Sequence, residues 1–153
     1  MSTLNQVTSL RFFFVLCITI ACSCEISVTP GYIEEDKEVL ESEIEKIHSL
    51  FNEGKYNEII KNAIPTFTEA AGKEKLILSM KQTKKDFGSF ESTYEKWINI
   101  IVRAPVEGRA VYNCKFSKSD VTEIFIFIKN NKSYKLASYQ IYPGITKPKL
   151  ISE

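Results

Sequence analysis

From Tyr32 to Phe51 apolar side chains return at helical spacing. Leu40, Ile44, Ile47 and Phe51 fall on one face, and the residues between them are mostly Glu and Lys. That period predicts an amphipathic helix. Glu34, Glu35 and Asp36 stand near its start, where the helix dipole favours acids, and Gly54 follows its end as a stop. "KYNEIIKNAI" predicts a second, short helix that stops before Pro65. "KEKLILSMKQTKKDF" predicts a third, with Leu76, Met80 and Phe87 on one side and Gly88 after it.

Beyond Gly88 the period changes. "STYEKWINIIVRA", "RAVYNCKF", "VTEIFIFIK" and "SYKLASYQIY" are rich in β-branched and aromatic residues, separated by the turn signals "PVEG", "SKSD" and "NNK". Short connections favour an antiparallel meander. If Ser117–Asp120 form one loop and Asn130-Asn131 the next turn, Tyr112, Cys114, Phe125, Phe127, Tyr134 and Leu136 share a face. Val111, Ile124, Ile126, Ile128, Ala137, Tyr139 and Ile141 take the other. Both faces are apolar, where a one-sided sheet alternates with polar residues. Three helices cover one face; the other calls for sharp curvature, a second copy of the chain, or a partner or ligand.

The N-terminal stretch "RFFFVLCITIACSCE" has a different pattern. Its apolar run, Phe12 to Ala21, follows a single charge at Arg11, fits the core of a secretory signal and is too short to span a bilayer as a helix. "TIAC" and "ACSC" resemble the lipobox of bacterial lipoproteins, in which small or apolar residues precede a cysteine that takes up lipid and becomes the N-terminus. That resemblance implies a signal peptide over residues 1–21 and lipidation of Cys22 with Cys24 as the alternative; the chain that follows reads as a tether over 22–30, a domain over 31–145 and a tail over 146–153. The resemblance also implies stable membrane anchoring through two or three acyl chains. Neither candidate cysteine is followed by Asp, so in a two-membrane cell the outer membrane is favoured. A plain cut after Ser23 gives the competing expectation of a secreted protein.

Composition narrows the picture further. Of 153 residues, 44% are apolar and 25% charged, as in a folded protein. Without residues 1–21 the chain carries 19 basic and 19 acidic residues, so no basic field argues for nucleic acid. In an oxidising compartment Cys24 and Cys114 could pair, although spacing does not fix connectivity; Cys114, inside a strand pattern, reads as a small buried hydrophobe.

The order helix, short helix, helix, then four strands is similar to that of the cystatin-like, NTF2-like group. "LFNEGKYNEIIKNA", "KKDFGSFEST" and "RAVYNCKFSKSDVTEIFIFIKNNKSYKLASYQI" resemble stretches of its small exported domains. The resemblance, from about Ile33 to Tyr142, implies an α+β fold in which three N-terminal helices pack on a curved four-stranded antiparallel sheet, forming a cone. Enzymes of that group place Asp, His, Tyr or Arg inside the cone, but no position here matches a catalytic motif.

Candidate chemistry is sparse. Trp97, Tyr112, Glu123, Phe125 and Tyr134 are candidate cone lining. Glu123 falls on the aromatic face between Val121 and Phe125, where a desolvated carboxylate could act as a base. His48, the one histidine, reads as a surface or boundary residue with no visible partner. Two late cysteines and one histidine do not make a standard zinc spacing, and neither a phosphate loop nor a Ser elbow is present. No cofactor is implied. The expectation is a membrane-anchored, non-catalytic binding or interaction domain. The alternatives are an NTF2-fold enzyme using Glu123 for proton abstraction, and a structural homodimer joined through the sheet face.

Overall fold

The amphipathic run forms helix α1, Pro30–Asn52, in a computed structural model that describes residues 30–145. Cys22, Cys24 and the tail 146–153 lie outside the described residues. The buried stripe of α1 recurs at every fourth position: Asp36, Leu40, Ile44 and His48 are all at most 4% exposed. Residues four apart stack on one helix face, so two polar side chains are carried into the core with two aliphatic ones.

Among the described residues four helices form, where three are expected. Ile64 is extended, as the residue before a proline prefers, and ends α2 (Tyr56–Lys61) with its short C-terminal turn. Pro65 then takes the first position of α3 (Pro65–Ala71), where its missing N–H costs nothing. Gly72, at φ +79, separates α3 from α4 (Lys73–Phe87). Tyr56, Ile59, Ile60 and Met80 give these helices their buried contacts.

The sheet is an open antiparallel meander in the order β1 (Phe90–Ile101), β2 (Glu107–Phe116), β3 (Asp120–Asn130) and β4 (Ser133–Pro143). Along the β4 edge, Ala63 bridges Leu136 and the Ile64 amide donates to the Leu136 carbonyl at 2.9 Å, covering part of it. Tyr112, Cys114, Phe125, Phe127, Tyr134 and Leu136 share the helix-facing side as expected, and all are buried. The last turn is centred on Asn131 and Lys132, with Asn131 at φ 57, one residue later than expected. A slip of one in the turn moves the pairing by two and preserves the faces.

A bulge corrects the second half of β4. Ser138 opposes Ile126 while Leu136 opposes Phe127, which leaves Ala137 as the extra residue. One inserted residue exchanges the faces beyond it. Tyr139 and Ile141 therefore point to the helices, opposite Phe125 and Glu123, and not to the outer surface. Trp97 is corrected in the other direction. It pairs with Val111 and shares the outer surface with half-buried Ile124, Ile126 and Ile128, away from any helix-facing lining.

Leu40 of helix α1 packs closely over Gly108 of β2. A Cβ built there would stand 2.9 Å from Leu40 Cδ2 and 3.2 Å from Tyr134 Cε1. Gly108→Ala should lower stability by about 1–3 kcal/mol through overpacking. Urea unfolding checks this, and an unchanged midpoint contradicts the contact.

Candidate functional site

One turn beyond Ile44, the stripe of α1 delivers His48 to the sheet. There Glu123 of β3 faces the helix from between Tyr112 on β2 and Ile141 on β4. His48 Nε2 and Glu123 Oε2 are 2.8 Å apart, with side-chain exposures of 6% and 2%. The Tyr139 hydroxyl, brought inward by the bulge, donates to Glu123 Oε1 at 2.7 Å. Both carboxylate oxygens are thus engaged, which is what a buried carboxylate requires.

The histidine ring is fixed from several sides. Asn52 lines up with the start of β1 like a strand partner: its side-chain amide donates to the Phe90 carbonyl at 2.9 Å and its Oδ1 accepts from the Phe90 amide at 2.9 Å. That places the Phe90 ring flat on His48, with centroids 3.8 Å apart and planes 14° from parallel. Phe125 and Tyr112 meet the imidazole edge-on at 5.9 and 6.3 Å. On its open side the ring lines a cleft of about 670 Å³ between α1 and β1. Glu45 and Ser49 of α1, Thr93, Glu95 and Lys96 of β1, and Tyr112 are among the other lining residues. The Lys96 ammonium is taken by Glu41 at 2.6 Å, whereas Glu45 and Glu95 make no ion pair among the described residues.

Cys114 completes the cluster. Its Sγ, the Glu123 carboxylate and a His48 ring nitrogen lie within 4.8 Å of one another, and the thiol is fully buried. Thr93 Oγ1 stands 3.8 Å from the sulfur. Burial, and then the charge of Glu123, push the thiol well above its ordinary range, so it stays protonated and is a poor nucleophile. Burial and Glu123 likewise hold the Tyr139 phenol protonated, and burial does the same for Tyr112. The cluster can therefore donate hydrogen bonds, relay a proton through His48, or release protons to solvent on binding a metal.

Of the residues singled out from the sequence, Glu123, Tyr112 and Phe125 meet at this site. Tyr134 is buried at the other end of the helix-facing surface, against Lys129 and close to Gly108, and Trp97 is on the opposite face. His48 is corrected from a boundary residue to a buried one with a partner. Its position four residues beyond Ile44, in phase with Leu40, is the signal that the sequence offers. Tyr139 is hidden by the bulge, for which the small pair Ala137-Ser138 is the only hint. Comparison with protein-family models, with curated proteins and with solved structures finds no match. Among the described residues no helix is long and apolar enough to cross a membrane.

The raised groups set an alkaline limit. The unfolded chain releases a thiol proton near 9.0 and phenol protons near 10.0, while the folded chain keeps them on Cys114, Tyr112 and Tyr139. Above those values the unfolded state binds fewer protons. Stability is thus fully present below about pH 9 and falls as pH rises, by up to about 1.4 kcal/mol per group and pH unit. Urea midpoints across this range should fall, with a shallower onset in Cys114→Ala; a flat profile contradicts the burial of these groups.

Proposed function

We propose that the chain is an exported, membrane-anchored binding protein, lipidated at Cys22 or alternatively Cys24, whose domain takes a small ligand in the cleft between α1 and β1. The observation that carries the ligand site is the cleft's floor. One nitrogen of His48 is committed to Glu123 at 2.8 Å, and the ring lies against the opening. A concave site of about 670 Å³ with aromatic walls and a few fixed polar groups suits a small molecule. With Glu45 and Glu95 unpaired at the rim, the favoured ligand is amine-bearing, with an apolar ring or chain to lie on Phe90 and Tyr112. The anchor rests on the N-terminal pattern alone. Assignment to the NTF2-like group, with the sheet as its cone, rests on the element order and on the residues that resemble that group.

A second reading, a proton-transferring enzyme, is favoured by the same His48–Glu123 contact, which is the arrangement of a general base held by a carboxylate. In that reading His48 faces the substrate and Glu123 positions it, since Glu123 is enclosed behind the ring. Turnover lost in Glu123→Gln, with folding and ligand binding kept, would support catalysis.

Two experiments test the main reading. The intact mass of protein from a bacterial host should carry lipid that is lost on Cys22→Ala or on Cys24→Ala, but not on both singly; an unmodified mass removes the anchor. An NMR screen of small amines against the wild-type protein should shift the His48, Phe90 and Tyr112 ring signals, and Ser49→Trp should abolish those shifts. Shifts confined to Trp97 and the outer face, or no shifts at all, contradict the cleft.

A further inference from the structure

The three side chains at and behind the cleft floor are of three different ligating kinds: imidazole, thiol and carboxylate. They come from three separate elements, α1, β2 and β3, so the fold and not local sequence brings them together. We propose that His48, Cys114 and Glu123 form a buried site for a divalent transition-metal ion of the zinc class. This goes beyond the cleft reading and does not depend on it, because the ion would be held whether or not the cleft has a ligand.

The geometry is close to what such an ion needs. Zinc takes nitrogen and oxygen at about 2.0–2.2 Å and thiolate sulfur at about 2.3 Å, so tetrahedral ligand atoms stand about 3.3–3.6 Å apart. Here the His48–Glu123 edge is 2.8 Å and all three atoms lie within 4.8 Å of one another. Opening one edge slightly and closing the others encloses an ion. The mixed nitrogen, sulfur and oxygen set favours zinc over magnesium or calcium, which take oxygen ligands.

The surroundings suit the same role. The Tyr139 hydroxyl, on Glu123 Oε1 at 2.7 Å, holds the carboxylate in orientation, as outer hydrogen bonds do for metal ligands. Phe90 lies flat on the imidazole and Phe125 meets it edge-on, which fixes the orientation of the ring. Of the three side chains His48 alone lines the cleft, so the ion would enter past the imidazole, with water as its fourth ligand. On binding, the Cys114 thiol proton leaves to solvent, and the proton between His48 Nε2 and Glu123 leaves to solvent or passes to Nδ1, so that Nε2 and the carboxylate both turn to the ion.

The test uses the full chain with Zn²⁺ or Co²⁺ alone. Zn²⁺ should raise the thermal midpoint, and Co²⁺ should give a thiolate-to-metal charge-transfer band at one ion per chain. Both should persist in the triple variant Cys17→Ser, Cys22→Ser and Cys24→Ser, which keeps Cys114 as its only thiol. The band should vanish in Cys114→Ala, which preserves an apolar core position and so guards against mere unfolding. His48→Gln, which removes a ligand, should weaken Zn²⁺ binding by more than the about tenfold lost with an outer hydrogen-bond partner. No midpoint shift and no band in the wild-type chain overturns the proposal, as does a response that survives Cys114→Ala or disappears with the triple variant.

Discussion

Helix α1 is fixed to β3 by a polar pair at each end of one buried stripe. Near its start Asp36 meets Lys129 Nζ at 2.5 Å, and near its end His48 meets Glu123 at 2.8 Å. The helix residues are twelve positions apart and the strand residues six. At 1.5 Å per helical residue and 3.4 Å per strand residue these spans are about 18 and 20 Å, so helix and strand match in length. The order is reversed, the earlier helix residue meeting the later strand residue, so α1 runs against β3. Between the pairs, Leu40 and Ile44 supply apolar burial, with Leu40 over Gly108. Apolar contact alone is non-directional; the two pairs give the helix its direction and register.

The candidate site is a consequence of that constraint. Holding the end of α1 down at Glu123 places Asn52 beside the Phe90 backbone, which seats Phe90 on His48 and shapes one wall of the cleft. The bulge at Ala137 adds Tyr139 to the free oxygen of Glu123. A buried ionic or polar pair contributes little net stability against an apolar replacement, yet losing one partner alone costs about 3–5 kcal/mol. Such a pair is a costly means of fixing a helix, and its location at a cleft floor is the reason to read it as chemistry as well as structure.

Legibility in the sequence follows period. Both long helices, the four strands and the residues of the helix-facing side up to Leu136 are readable, because Leu40, Ile44, Phe125 and Phe127 repeat at 3.6 or at two. Legibility ends where the period is interrupted. Pro65 reads as a stop yet also opens α3, and one extra residue at Ala137 exchanges the faces of Tyr139 and Ile141. His48 and Asp36 are polar residues in apolar phase, and their partners lie 75 and 93 residues away, a separation that no local pattern reports. Glu123 stands out because it falls in phase with apolar Val121 and Phe125. The grouping of Cys114 with His48 depends on three elements at once.

The most direct measurement is a double-mutant cycle across the His48–Glu123 contact, using His48→Leu, Glu123→Leu and the pair together, read by urea unfolding. If this contact holds the end of α1 to the sheet, each single change leaves His48 unpaired or Glu123 held by Tyr139 alone and costs about 3–5 kcal/mol, while the double variant costs far less than the two combined. Costs that add to within about 0.5 kcal/mol would show that the two side chains act independently, and would contradict the contact as the constraint on which the site is built.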